Sequence, residues 1–196
     1  IQLQGRDLLP LTQAQMRDLR AARVAMIFQE PMTALNPVLR VGDQIMEVME
    51  LHTDLPAAER RRRAVAIMEQ VHLPDVERIF RSYPHQLSGG QRQRIMIAMA
   101  LVLEPVLLIA DEPTTALDVT TQKQILALID ELQRDHGTAV LFITHDMGVV
   151  AEIADTVYVM KQGEIVEHGA VGTLLRDPRA DYTRKLLKAV PSLSPR

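Results

Sequence analysis

The order of apolar segments between residues 106 and 160 limits the fold more than any other feature of this sequence. Three short segments, 106–110, 139–143 and 156–160, have the length and composition of β-strands. Two stretches with apolar residues at helical spacing, 120–134 and 147–154, separate them. Strand, helix, strand, helix, strand in this order favours right-handed crossovers and a parallel sheet. We therefore predict an α/β protein whose first two strands, apolar at every position, are buried on both faces.

The flanking segments contain signals for shorter elements. Thr12 and Gln15 form a capping box, which predicts a short helix that ends near Arg20. Residues 1–4 and 24–28 have the pattern of strands, and 83–86 has that of a loop. Further helices are predicted at 42–51, 56–71, 91–103, 171–176 and 181–189, and a turn at 161–164 leads into an antiparallel hairpin with 165–167. We predict a helical subdomain at about 35–100, an α/β core formed by 1–34 and 101–190, and a Pro-bearing tail at 191–196.

Composition excludes several classes of function. The net charge of −3 gives no reason to expect a nucleic-acid partner. The chain has no cysteine, so disulfides and thiolate metal sites are absent from it. The longest apolar run, 95–103, is far shorter than the roughly 20 residues that span a bilayer. The four consecutive arginines at 60–63 follow Glu59 in a helical pattern, which favours a solvated helix face over an anion site.

Two segments carry the residue types of a phosphate-handling site. Ser88, Gly89, Gly90 and Gln91 precede a predicted helix, where glycines let the backbone approach an anion and the helix N-terminus presents N–H groups. Such glycines also occur in ordinary turns. Asp111 and Glu112 follow a buried strand, the position at which ligands bind in open parallel sheets.

Each sheet-end residue has an ordinary alternative. An Asp at a strand end can hold Mg²⁺, and the neighbouring Glu can polarise an attacking water, but an isolated Asp-Glu pair more often only solvates a strand end. His145 follows the strand at 139–143 and could hydrogen-bond a phosphate, although a lone His is more often a capping residue. Gln29 could simply cap a strand. The remaining histidines, including His52, His72 and His85, receive no role.

Taken together, the motifs resemble those of an ABC-type ATPase. Leu87-Ser88-Gly89-Gly90-Gln91 resembles the signature motif, Ile109-Ala110-Asp111-Glu112 the Walker B motif, and His145 the switch histidine. Ala116-Leu117-Asp118 is similar to the D-loop, with Thr115 where many members have Ser, and Gln29 is similar to the Q-loop glutamine. The resemblance implies a P-loop NTPase-like fold with ATP and Mg²⁺ as ligands. It implies that Glu112 and His145 are catalytic, that Asp111 and Gln29 bind metal, and that Gln29, Ser88, Gly89, Gly90, Gln91 and Asp118 contact nucleotide or the opposite subunit.

The segments around these motifs narrow the resemblance to one branch. Gln29-Glu30-Pro31-Met32-Thr33-Ala34-Leu35-Asn36-Pro37 is similar to the Q-loop of dipeptide and oligopeptide importer ATPases, a branch that includes nickel and glutathione importers. The phosphate-binding loop of the family ends in Gly-Lys-Ser/Thr, and no glycine precedes any lysine of this chain. Since the sequence also starts inside a strand pattern, we expect the N-terminal β-subdomain and the Walker A motif to be missing.

The resemblance implies an ATP-hydrolysing importer subunit on the cytoplasmic face of the bacterial inner membrane. Its expected partners are a second ABC ATPase domain, two membrane permeases and, indirectly, a substrate-binding protein, with no nucleic acid. The fragment alone is expected to be inactive because it lacks the P-loop. Two alternatives stay open: a non-catalytic half that only supplies its signature motif in trans, and a soluble ABC-type ATPase of translation or DNA repair.

Overall fold

A computed structural model describes residues 1–29, 34–115 and 117–189 of the chain. The chain divides into two compact units, Ile1–Ile143 and a second unit that begins at Thr144. The predicted division into a helical subdomain and an α/β core stays a prediction, and the predicted tail at 191–196 lies outside the described residues. None of the helices in the described ranges is long and apolar enough to cross a membrane.

The first unit contains five strands, six helices and one 3₁₀ turn within its described residues. In chain order they are β1 (Gln2–Leu3), β2 (Arg6–Asp7), α1 (Gln13–Leu19), β3 (Val24–Ile27), α2 (Val41–His52), α3 (Ala57–Gln70), α4 (Val76–Phe80), the 3₁₀ turn Pro84–Gln86, α5 (Gly89–Leu101), β4 (Leu107–Asp111), α6 (Val119–His136) and β5 (Ala139–Ile143). Thr12 caps α1 with the predicted capping box. The 3₁₀ turn replaces the loop predicted at 83–86, and α4 was not predicted.

A parallel sheet of three strands, in the order β3–β4–β5, forms the centre of this unit. The register aligns Ile27 with Ala110 and Phe142, so these side chains point to the same face of the sheet. Helix α5 packs against β3 on the core side. The predicted parallel sheet is confirmed for β4 and β5, and β3 adds a parallel strand beside β4.

The opposite face of the sheet is open to solvent within the described part of the chain. Met26, Phe28, Leu141 and Ile143 are 39%, 54%, 50% and 44% exposed. Met26, Phe28 and Leu141 border an apolar groove of about 770 Å³ that also includes Ile109. The prediction that β4 and β5 are buried on both faces is therefore wrong here: their uniformly apolar sequence suits two covered faces, but only one is packed.

Helices α2, α3, α4 and α5 pack against one another. Apolar residues at helical spacing, including Ile45, Met49, Ile67 and Met68, form their shared core. Gly42 allows α2 and α4 to approach closely, since a Cβ at this position would lie 2.4 Å from the Phe80 ring. This packing accounts for the helical pattern between residues 41 and 101.

The arginine run at 60–63 forms ion pairs along α3. Arg60 pairs with Glu50 at 3.4 Å, and Arg61 pairs with Glu77 at 2.7 Å. Arg62 and Arg63 both pair with Glu59, at 2.6 and 3.0 Å, one helical turn before them. The run is thus a charged helix face with carboxylate partners, as the sequence predicted.

The second unit contains two strands and three helices within its described residues. They are α7 (Met147–Ile153), β6 (Thr156–Lys161), β7 (Glu164–Ala170), α8 (Val171–Arg176) and α9 (Asp181–Ala189). β6 and β7 form the predicted antiparallel hairpin, with a register shift between Val159 and Met160. The prediction that the strand at 156–160 also joins the parallel sheet stays a prediction.

Candidate functional site

The signature-like segment forms the N-terminus of α5. Ser88 is the N-cap, and its Oγ accepts a hydrogen bond from the Gln91 backbone N–H at 3.2 Å. In return, the Gln91 Oε1 accepts from the Ser88 backbone N–H at 3.0 Å. This reciprocal capping box leaves the N–H groups of Gly89 and Gly90 in the first helical turn, where no intrahelical acceptor exists for them. The arrangement has the geometry of an anion-binding helix N-terminus.

The two glycines of this segment lie at very different distances from the side chains that they face. A Cβ on Gly90 would lie 2.8 Å from Thr121 Cγ2, closer than side chains pack. A Cβ on Gly89 would meet Leu117 Cδ2 at 3.7 Å, an ordinary contact. Gly90 therefore lets the N-terminus of α5 approach the N-terminus of α6, a role separate from any contact with nucleotide.

Asp118, the predicted D-loop residue, caps α6. Its Oδ1 accepts from the backbone N–H groups of Thr120 and Thr121 at 3.1 and 3.0 Å, and its Oδ2 accepts from Thr121 Oγ1 at 2.7 Å. The Thr121 hydroxyl, followed by the backbone donors, lowers the pKa of Asp118 below its usual range. The carboxylate is thus ionised and held in place at neutral pH.

These residues line one cavity of about 520 Å³ in the first unit. Its wall combines the signature-like segment with the start of α6, and it also includes His72 and Arg94, to which sequence reasoning gave no role. The lining residues are His72, Pro74, Ser88, Gly89, Gly90, Gln91, Arg94, Leu117, Asp118, Thr121 and Gln124. The cavity thus brings the predicted signature and D-loop residues together.

His72 and Arg94 are fixed by contacts between helices. Arg94 Nη1 donates to the Val71 carbonyl at 2.7 Å, and burial lowers the pKa of Arg94 from its usual value. His72 has a left-handed backbone with φ of +55°, and its Nε2 lies 3.0 Å from Glu131 Oε2. Arg94 could have been found from its position one turn after Gly90, whereas His72 reaches the cavity only through the packing of α3 against α5.

A second group of predicted residues meets at the carboxyl end of the sheet. The parallel register that aligns Ile27 with Ala110 brings Gln29, two residues beyond Ile27, beside Glu112. Gln29 Nε2 donates to Glu112 Oε2 at 2.9 Å. Asp111, the last residue of β4, is half-buried at the same edge. The structure therefore joins two residues that lie 83 positions apart in sequence.

Thr115 adds a contact that sequence reasoning missed. Its Oγ1 donates to Glu112 Oε2 at 2.9 Å, the same oxygen that Gln29 contacts. In the sequence, Thr115 stands out only as a departure from the Ser of many family members. Ser and Thr both have a hydroxyl, and the hydroxyl is the group that contacts Glu112 here.

His145 belongs to the second unit, two residues beyond β5. Its side chain is exposed. The next residue, Asp146, caps α7 by accepting from the backbone N–H groups of Gly148 and Val149 at 2.8 and 3.4 Å. The role predicted for His145 stays a prediction.

The sheet-end residues have the chemistry of a weak oxygen site for a cation. Asp111 supplies a carboxylate, and Gln29, whose amide nitrogen donates to Glu112, has an amide oxygen suited to a hard cation. Across the described ranges, no group of three or more His, Asp or Glu side chains could hold a metal by itself. This donor set fits Mg²⁺, which commonly binds one or two carboxylates together with substrate phosphates.

Comparison with known families decides what kind of protein contains these two groups. The family model described as ABC transporter matches residues 1–115 of the chain. The chain belongs to the ABC transporter family. The signature-like and Walker B-like segments both lie within the matched residues of this ABC chain.

Curated relatives of this ABC chain are named as import proteins. The glutathione import ATP-binding protein GsiA of Escherichia coli K12 is 56% identical over 196 residues, covering 98% of this chain and 32% of that protein. The protein of the same name from Shigella flexneri is 56% identical over 192 residues, covering 96% of this chain and 31% of that protein. The chain thus spans about a third of the length of these relatives.

Solved structures of ABC cassettes share the fold. The dimeric post-hydrolysis structure of the ATP-binding cassette MJ0796 bound to ADP and Pi matches with a TM-score of 0.75 and 28% identity, covering 86% of this chain and 72% of that one. A second dimeric structure of MJ0796, a bacterial ABC transporter cassette, matches with a TM-score of 0.71 and 30% identity, covering 82% and 68%. The predicted α/β cassette fold is confirmed; the predicted absence of an N-terminal part stays a prediction.

Proposed function

We propose that this chain is part of the ATP-hydrolysing subunit of a bacterial ABC importer for peptides or related cargo such as glutathione or nickel. Its family membership and its 56% identity to a glutathione import ATP-binding protein support the importer branch. The observation that carries the hydrolytic role is the sheet end, where the Glu112 carboxylate lies between the Gln29 amide and the Thr115 hydroxyl. A fixed carboxylate at a strand end is suited to orient and polarise a water molecule.

The sheet-end residues have complementary roles in this proposal. Glu112 polarises the attacking water, and Asp111 and Gln29 hold Mg²⁺ beside the phosphates of the bound ATP. When bound, the cation neutralises negative charge on those phosphates. On its resemblance to the switch histidine, His145 is assigned the hydrogen bond to the γ-phosphate.

The signature-like segment acts on a different ATP molecule. Ser88, Gly89, Gly90 and Gln91 clasp the ATP held by a second ABC domain, and Asp118 lies in the same wall of the cavity. Ser88 Oγ accepts from Gln91, which leaves its hydroxyl hydrogen able to donate to a phosphate oxygen. The anion meets the first-turn N–H groups of α5 and the positive end of the helix dipole.

The proposal places the protein in a larger assembly. A second ABC domain supplies the other half of each ATP site, and two permeases carry the cargo that a binding protein delivers. The assembly sits at the cytoplasmic face of the inner membrane. The net charge of −3 agrees with partners other than nucleic acid.

Replacing the proposed base tests the enzymatic role. In the product of the complete reading frame that encodes these residues, Glu112→Gln is expected to retain ATP binding and to lower ATP turnover by at least about 100-fold, since the amide cannot accept the proton. Glu69→Gln, an exposed carboxylate on α3, is the matched control and should keep full turnover. ATPase activity and nucleotide binding are measured side by side; unchanged hydrolysis by Glu112→Gln would remove Glu112 from this role.

A second candidate function is favoured by one observation. Because no glycine precedes a lysine in these 196 residues, the chain contains no Gly-Lys-Ser/Thr phosphate cradle of its own. The second candidate is therefore a non-catalytic half that lends its signature segment to another domain. Calorimetric titration of the 196-residue chain with Mg²⁺ and millimolar ATP tests this: absence of binding agrees with a half-site, and binding with turnover contradicts it.

A further inference from the structure

Gln29 and Thr115 both donate to the Glu112 carboxylate, and they come from different parts of the chain. Gln29 reaches Glu112 Oε2 from the end of β3, 83 residues away in sequence, at 2.9 Å. Thr115 reaches the same oxygen from three residues along the chain, also at 2.9 Å. One contact therefore depends on how β3 and β4 are arranged, and the other belongs to the turn that follows β4.

The backbone of the turn after β4 fixes the positions from which the Glu112 and Thr115 side chains extend. Glu112 has a left-handed backbone with φ of +45°, which is rare for a residue other than glycine. Its N–H donates to the Ile143 carbonyl of β5 at 2.9 Å, and its own carbonyl accepts from the Thr115 N–H at 3.3 Å. Thr114, between them, is buried with 6% exposure. An unfavourable backbone conformation persists where its surroundings hold it, and such positions concentrate at functional sites.

We propose that Thr115 is a positioning residue for Glu112, an inference that rests on the proposed function. The Thr115 hydroxyl fixes the orientation of the Glu112 carboxylate through a contact within the turn. Because Thr115 lies in the same turn as Glu112, this contact does not depend on the arrangement of β3 and β4. Thr115 itself touches neither nucleotide nor water in this role; it acts through Glu112.

The side chain of Thr115 allows a sharp substitution series. Thr115→Val keeps the branched shape and removes the hydroxyl, whereas Thr115→Ser keeps the hydroxyl and removes the methyl group. A positioning role requires the hydroxyl, so Ser should replace Thr and Val should not. Thr173, an exposed threonine on α8 in the second unit, supplies the matched control Thr173→Val.

The kinetic test uses the product of the complete reading frame. Thr115→Val is expected to lower kcat about 10-fold, the effect of losing one hydrogen bond to a charged group, with KM for ATP and Tm unchanged. Thr115→Ser and Thr173→Val should stay within about twofold of the unsubstituted kcat. The inference is overturned if Thr115→Val keeps that rate, or if Thr115→Ser is as slow as Thr115→Val.

A second measurement separates this inference from the proposed function. In the 196-residue chain labelled with ¹³C and ¹⁵N, Thr115→Val should shift the Glu112 carboxyl resonance, and Glu112→Gln should shift the Thr115 methyl and Gln29 side-chain amide resonances. A protein without ATP turnover but with these shifts refutes the proposed function and leaves the contact standing. Resonances that do not respond refute the positioning contact whatever the activity.

Discussion

Replacing Gly90 by Ala is expected to disturb the junction between α5 and α6. A Cβ at Gly90 would lie 2.8 Å from Thr121 Cγ2, so one of the two side chains must move. Thr121 cannot simply rotate away, because its Oγ1 donates to Asp118 Oδ2 at 2.7 Å and rotation would break this hydrogen bond. The substitution therefore costs either steric overlap or a hydrogen bond.

The size of the effect follows from two opposing terms. Overpacking typically costs about 1–3 kcal/mol, and replacing glycine by alanine in a helix contributes about 1 kcal/mol in the opposite direction. Gly90→Ala should therefore lower the free energy of unfolding by about 0–2 kcal/mol. Gly89→Ala is the control in the same helical turn: its Cβ meets Leu117 at 3.7 Å, so it should stabilise the chain by up to about 1 kcal/mol.

A double-mutant cycle isolates the steric term. Thr121→Ser removes the clashing methyl group and keeps the hydroxyl that donates to Asp118. Urea unfolding of the 196-residue chain, with Gly90→Ala, Thr121→Ser and both together, should give a coupling of about 1–3 kcal/mol. Additivity within about 0.5 kcal/mol would refute the reasoning, because it would mean that Gly90 and Thr121 do not compete for space.

Two further predictions concern stability. Arg62, followed by Arg63, lowers the pKa of Glu59 from 4.5 to about 2, so the stabilisation from this carboxylate is present above pH 4.5 and is lost as pH falls through about 2. In thermal melts between pH 5 and 2, Tm should fall less for Glu59→Gln than for the unsubstituted chain. Equal losses of Tm would contradict a stabilising role of the ionised Glu59 carboxylate. Gly42→Ala places a Cβ 2.4 Å from the Phe80 ring and should lower the free energy of unfolding in urea by about 1–3 kcal/mol. Adding Phe80→Leu should restore part of that free energy. An unchanged free energy of unfolding in Gly42→Ala would contradict the close packing.

Local signals predicted the elements well because their causes lie within a few residues. The capping box of Thr12 and Gln15 placed the start of α1, and the capping of α5 by Ser88 and Gln91 follows the same rule. Helix α4 escaped prediction because it has only five residues and starts from Asp75 in a left-handed conformation, which no periodicity indicates. The hairpin of β6 and β7 was predictable because a short turn joins the two strands.

The sequence predicted most residues of the candidate site but fewer of the contacts between them. Motifs identified Glu112 and Gln29 separately, but their hydrogen bond follows from the register of β3 and β4. No sequence pattern indicated the Thr115 contact, which forms in a turn that starts from the left-handed backbone of Glu112. His72 reaches the cavity through helix packing that no linear pattern encodes.

The open face of the sheet affects how the folded chain responds to heat and to denaturant. Side chains such as Phe28 and Leu141 are already hydrated in the native state, so unfolding adds less new apolar surface than it would for a domain with both faces packed. Both the heat capacity of unfolding and the urea m-value scale with that newly exposed surface. The 196-residue chain should therefore show smaller values of each than its length implies. Any molecule that covers this face only in the folded state would raise the melting temperature by mass action.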